Sequence, residues 1–113
     1  MHELSIVMGI LDIAKKYAAE ADASKIDEIE LDIGVLSTVE MNAFEFAWNQ
    51  GIKNTILEGS IKKVNRISGK ASCIDCNNTF DIENVFDPCP ICGNNLISIL
   101  QGKELKVKSL IVT

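Results

Sequence analysis

The chain has 113 residues, 47% of them hydrophobic and 24% charged, with a formal net charge of −5. That is enough for one modest core and a small lobe held by something other than apolar bulk. An acidic chain with 11 Lys and Arg and 5% aromatics is poorly equipped to neutralise a phosphate backbone, which argues against nucleic acid. No apolar run approaches the ~20 residues that span a bilayer, and the start, Met1-His2-Glu3, has no basic region of the kind that opens a secretion signal. A reducing, cytoplasmic setting is expected.

In chain order, Leu4, Val7, Leu11, Ala14 and Ala18 recur at helical spacing, flanked by Ile6, Ile10, Ile13 and Tyr17. This predicts a helix from Leu4 to about Ala21 with one wide buried face. Between Asp27 and Gly34, Ile29, Leu31 and Ile33 alternate with Glu28, Glu30 and Asp32, the pattern of a strand with one buried and one solvated face. Ser37-Thr38-Val39-Glu40 has the spacing of a capping box, so a second helix should run from about Thr38 to Gln50, its core face Met41, Phe44, Ala47 and Trp48. Residues Ile61 to Ile67 form a weaker strand whose lysines suit a sheet edge. Ser68-Gly69 and Gln101-Gly102 look like hinges into and out of the cysteine lobe. Within it, Thr79–Ile82 and Leu96–Leu100 are short strands, and Phe80, Phe86, Ile97 and Ile99 could form a small core. Leu105 to Ile111 alternate again and should return to the main sheet. The expected fold is α+β: two helices on a small three-stranded sheet, with an inserted zinc-ribbon domain. The expected domains are 1–68, completed by 102–113, and 69–101.

All four cysteines lie in that lobe, as Cys73-Ile74-Asp75-Cys76 and Cys89-Pro90-Ile91-Cys92. Two Cys-x-x-Cys pairs at this separation can each form a tight turn that aims two thiolates at one point. The result is the closed tetrahedral sulfur set that Zn²⁺ favours. Iron accepts the same geometry. A disulfide pair would suit an oxidising compartment, and a thioredoxin-like site needs one Cys-x-x-Cys and not a matched set. Coordinated by four cysteines, zinc has no open position and is structural, so it neither activates water nor polarises a substrate.

Any other chemistry must come from elsewhere, and the chain has a single histidine, His2. A lone histidine is usually incidental, but this one lies beside the terminus. The initiator methionine is normally retained before so large a side chain. His2 Nδ1 and the His2 amide nitrogen can close a six-membered chelate ring, while the Met1 amine and the Glu3 amide each add a five-membered one. That nitrogen-rich planar set suits Ni²⁺ or Cu²⁺ better than Zn²⁺, and the Glu3 carboxylate is an oxygen donor within reach. Glu28, Glu30 and Asp32 resemble a metal patch, but alternate acids on a strand are more often its solvated face.

Met1-His2-Glu3 opening an amphipathic helix, Gly34-Val35-Leu36-Ser37-Thr38-Val39-Glu40 before a second helix, and the inserted Cys73-x-x-Cys76…Cys89-x-x-Cys92 together resemble the HypA/HybF nickel metallochaperones of [NiFe]-hydrogenase maturation. The likeness runs along essentially the whole chain. It implies Ni(II) as transient cargo bound at Met1, His2 and Glu3, with His2 the principal ligand, and Zn(II) as a structural ion. It also implies delivery to the hydrogenase large subunit together with a HypB-type GTPase. Glu40 stands where the family carries an acidic residue near the nickel site, although as the fourth residue of the capping box it could equally bond the Ser37 N–H. Some relatives could draw a further histidine donor from the zinc lobe. This chain has none, which argues for a labile site.

A zinc-ribbon module that binds protein or nucleic acid without nickel is the alternative. An enzyme is not expected, because no nucleophile has an evident base beside it. Flexible glycine hinges at Gly69 and Gly102 would permit a domain-swapped homodimer alongside monomer.

Overall fold

The computed structural model describes residues 2–113. The elements run α1 (Glu3–Glu20), β1 (Ile26–Gly34), α2 (Met41–Gly51), β2 (Ile61–Ile67), β3 (Gly69–Cys73), β4 (Thr79–Ile82), β5 (Ile97–Gln101) and β6 (Leu105–Val112). They form two three-stranded sheets, ordered β2-β1-β6 and β4-β3-β5. The chain divides into two compact units, one of residues 1–31, 39–64 and 106–113 and the other of residues 32–38 and 65–105.

In the first unit, α1 buries Val7, Ile10, Leu11, Ala14 and Ala18, the stripe that helical periodicity requires. Leu4, expected on that stripe, is 56% exposed, and the buried residue of the first turn is Glu3, at 5%. The two helices approach closely enough that a Cβ on Gly51 would lie 2.9 Å from Val7 Cγ1. Phe44, Ala47 and Trp48 form the buried face of α2, while Ile26, Ile29 and Leu31 fill the core from β1. Leu57, in the turns after α2, is also fully buried, a contribution that no periodic pattern announced.

The second helix starts later than the capping box implies. Glu40, not Ser37, is the N-cap: its backbone is extended (φ −85°, ψ 116°) and its side chain accepts from the Ala43 N–H. Ser37 is taken up in the turn that ends β1, where its hydroxyl donates to the Gly34 carbonyl at 2.6 Å and its N–H to the same oxygen at 3.1 Å. With the Ser37 N–H already bonded, the expected Glu40–Ser37 contact has no role.

β2 is an edge of its sheet, as its lysines suggested. Lys62 spoils the alternation because its stem lies along apolar surface. Its Nζ sits 6.0 and 5.7 Å from the Phe44 and Trp48 ring centroids and pairs with Glu45 at 2.5 Å. The acids of β1 are engaged pairwise. Glu28 meets Lys63 at 2.9 Å, Glu30 meets Lys108 at 3.6 Å, and in the second unit Asp32 accepts from Asn65 at 3.0 Å. They are partnered sheet-face residues, and Asp32 is buried rather than solvated.

In the second unit β3 is the central strand, antiparallel to both β4 and β5, with Ala71 opposite Phe80 on one side and Ile99 on the other. Leu36, Ala71 and Ile82 form its core, with Phe80, Val85, Ile97 and Ile99 against them. Phe86, expected there, is 86% exposed. Gly69 opens β3 directly after β2, where a Cβ would lie 2.4 Å from the Ile82 carbonyl oxygen and 3.0 Å from the Leu36 side chain. Gly102 has φ +117° and a Cβ there would lie 2.8 Å from Gly69 Cα. Glycine is required at both positions by close approach, so these residues are packing points. Gly69→Ala should therefore lower stability by about 1–3 kcal/mol, the usual range for overpacking, measured as the shift of the urea midpoint of zinc-loaded protein. A hinge glycine would tolerate alanine at little cost.

Candidate metal centres

Two short turns build the sulfur site, and they are near copies. In each, the first cysteine's carbonyl accepts from the residue after the second cysteine: Asn77 N–H to Cys73 O and Gly93 N–H to Cys89 O, both 2.9 Å. In each, the first cysteine's N–H donates one residue further on, Cys73 to Asn78 O at 2.8 Å and Cys89 to Asn94 O at 3.0 Å. The residue after the second cysteine is left-handed in both, Asn77 at φ 58° and Gly93 at φ 74°, a region that Gly and Asn reach most easily. The Ile74 N–H donates to Leu96 O at 3.1 Å, and Asn94 bonds Asp75, so the two turns are tied to each other.

This brings the sulfurs of Cys73, Cys76, Cys89 and Cys92 within 4.8 Å of one another, with Cys73···Cys92 at 3.5 Å and Cys76···Cys89 at 3.6 Å. Zn–S bonds of about 2.3 Å in a tetrahedron place sulfurs about 3.8 Å apart. The donor set fits zinc. N–H groups of the turns face the sulfurs: the Cys92 amide, and with it the Ile91 amide, pull the Cys89 thiol down to about 6. The Asn94 amide acts the same way on Cys92, but the neighbouring Cys73 sulfur and desolvation outweigh it and push that thiol up to about 12. Four thiolates cannot share so small a space without a cation. A bound Zn²⁺ would supply that charge and cross-link the turns. Among the described residues, no other group of three or more His, Cys, Asp or Glu offers converging ligand atoms.

The N-terminal residues are arranged differently. His2 is exposed and is the N-cap of α1, without a side-chain cap bond. Its carbonyl is held twice, by the Ser5 hydroxyl at 2.8 Å and the Ile6 N–H at 3.0 Å. Since the helical ladder begins with that Ile6 bond, the His2 and Glu3 amide nitrogens are not among its donors. The Glu3 carboxylate accepts from the Glu40 N–H at 3.1 Å, and Glu40 Oε2 accepts from the Ala43 N–H at 2.5 Å. Glu3 and Glu40, 37 positions apart, are thus brought together. Met1 lies outside the described residues.

Over residues 1–112 the chain matches the model of a family described as hydrogenase/urease nickel incorporation, metallochaperone, HypA. A hydrogenase maturation factor HypA of Parabacteroides distasonis is 43% identical over 112 residues, covering 99% of this chain and 97% of that protein. One from Geobacter metallireducens is 36% identical, covering 97% of each. This chain belongs to the HypA family. The fold agrees: the solution structure of the Ni metallochaperone HypA from Helicobacter pylori superposes with a TM-score of 0.72 at 24% identity, covering 99% of this chain and 97% of that one.

Within this HypA-family chain the Cys-x-x-Cys spacing pointed straight to the sulfur cluster. The Glu3–Glu40 contact had no such signal in either local pattern. One clue existed: a helix capped by Glu40 has Ala43 at the position where a capping box would carry the returning acid.

Replacing Cys89 by serine should abolish stoichiometric zinc, read by metal analysis of purified protein. Structural zinc in small modules is worth about 10 kcal/mol or more. Amide protection in β3 to β5 should fall sharply in hydrogen exchange, while α1 and α2 retain theirs.

Proposed function

We propose that this protein is a nickel metallochaperone of hydrogenase maturation that takes up Ni(II) at its N-terminus and carries a structural zinc on its four cysteines. The observation that carries the reading is the placement of His2: an exposed imidazole on the N-cap of α1, followed by amides outside the helical ladder. Nickel can replace the protons of the His2 and Glu3 amides without breaking a rung of α1, because the first rung runs from Ile6 to the His2 carbonyl. With the Met1 amine and His2 Nδ1 these nitrogens complete a planar set of the kind Ni²⁺ favours. Glu3 and Glu40 provide the acidic surroundings.

The division of labour follows the two compact units: the one that carries α1 and α2 serves nickel, and the one that carries β3, β4 and β5 serves zinc. Family membership supports a pathway in which nickel passes to the [NiFe]-hydrogenase large subunit with a HypB-type GTPase. A reduced cysteine quartet is in keeping with the cytoplasm, and among the described residues no helix is long and apolar enough to cross a membrane. The protein acts by transfer of an ion and not by turnover. A site built on a terminus, with no histidine beyond His2 in the chain, holds its cargo loosely enough to hand it on.

Titration of Ni²⁺ into zinc-loaded protein tests this. His2→Ala should weaken nickel by more than the ~10–100-fold typical of losing an outer-shell partner and remove the planar-site absorption band. Equal affinity in the two proteins would eliminate His2 as a ligand. A Gly-Ser extension ahead of Met1 displaces the terminal amine, so it should change nickel affinity while zinc content and circular dichroism stay as in the parent. An unchanged affinity would contradict a role for the amine.

A further inference from the structure

We propose that the Glu3 carboxylate is a positioning group and not a nickel ligand: it braces the start of α1 against the start of α2, and Glu3 meets nickel only through its amide nitrogen. This rests on the nickel reading above and assigns separate tasks to the two ends of one residue.

An N-cap residue has an N–H that the helix cannot satisfy. In a capping box the residue three positions on returns an acceptor to it. Here the forward half of the box is present, since Glu40 Oε2 accepts from the Ala43 N–H. The return half is impossible, because Ala43 has no acceptor. Glu3 Oε2 stands in its place at 3.1 Å from the Glu40 nitrogen. The box is therefore completed across two helices. A carboxylate there also meets the positive end of the α2 dipole.

The packing around it keeps this arrangement fixed. Glu3 is 5% exposed, and Val7, one turn on, sits where a Cβ on Gly51 would collide at 2.9 Å. Moving Oε2 onto a metal would withdraw the acceptor from the Glu40 N–H. The exposed imidazole of His2, the neighbouring residue, needs no such movement. The brace thus sets where α1 begins and the direction in which His2 leaves it.

The test uses ¹⁵N-labelled, zinc-loaded full-length protein, taken as wild type, Glu3→Gln, Glu3→Ala and His2→Ala, each titrated with Ni²⁺. Planar Ni²⁺ is diamagnetic, so the Glu40 amide remains observable. Glutamine retains an acceptor oxygen, so Glu3→Gln should hold nickel within about threefold of wild type, whereas Glu3→Ala should lose about tenfold, the lower end for an outer-shell partner. The planar absorption band should stay at one wavelength in all three, because the ligand set is the same. Exchange of the Glu40 amide should quicken about fivefold or more in Glu3→Ala alone, as loss of one hydrogen bond predicts, and stoichiometric nickel should leave it slow in wild type. A loss of about tenfold or more in Glu3→Gln, a displaced band, or deprotection of Glu40 on adding nickel to wild type would each show the carboxylate moving to the metal and overturn the proposal. Those outcomes leave the nickel reading standing so long as His2→Ala loses the ion. Equal nickel binding in His2→Ala and wild type would overturn both.

Discussion

For the nickel site proposed above at His2, one hydrogen bond, from the Glu40 N–H to the Glu3 carboxylate, reconciles two demands. A cargo site wants exposed, exchangeable donors, and terminal residues supply these easily because little chain restrains them. A selective site wants those donors held in a fixed arrangement. Starting α1 at Glu3 and burying that residue's side chain meets the second demand within one residue of the first. The apolar stripe of α1 and the close helix contact at Gly51 keep the anchor still, and His2 is the first residue beyond it.

The sulfur site solves a different problem. Among the described residues, the hydrophobic cluster of the second unit has three buried members, Leu36, Ala71 and Ile82, helped by four partly buried neighbours. So small a core leaves little to set against the entropy of ordering the surrounding turns. The metal provides the missing cross-link, and the local hydrogen bonds prepare for it. Each turn has its carbonyl and N–H bonds closed in the same pattern. Each turn also has one buried cysteine, Cys73 or Cys89, and one exposed, Cys76 or Cys92. The repetition extends to Asn77 and Gly93, two residues with different side chains doing the same backbone work.

Much of this was legible in the sequence because it rests on short-range patterns. Alternation marked β1, period marked α1, and cysteine spacing marked the metal cluster. What escaped notice depends on contacts between distant residues. Leu4 looked like a core residue by period, but the first turn's buried place belongs to Glu3, whose partner is 37 positions away. Ser37 and Glu40 have the letters of a capping box, yet the Gly34 carbonyl competes for Ser37. β3 was concealed because Lys70, Ala71 and Ser72 have little apolar pattern. Its position is set by pairing with strands on both sides. Phe86 shows the converse: an aromatic residue near a small core is not necessarily part of it.

The meeting of Gly69 and Gly102 has a consequence for how the zinc is lost and regained. These residues touch where the chain enters and leaves the β4-β3-β5 sheet, and Leu36 N–H bonds the Gly102 carbonyl at 2.7 Å. The loop between them is therefore already closed by backbone contacts before any metal arrives. The cysteines close a second loop nested inside the first, and an inner loop is the cheaper to close because fewer residues are left to order. Departure of the ion then opens the inner loop and loosens β3 to β5, while the contact of Gly69 with Gly102 still holds the ends of that segment together. Metal exchange then loosens the small β4-β3-β5 sheet between closed ends and leaves the helical unit folded.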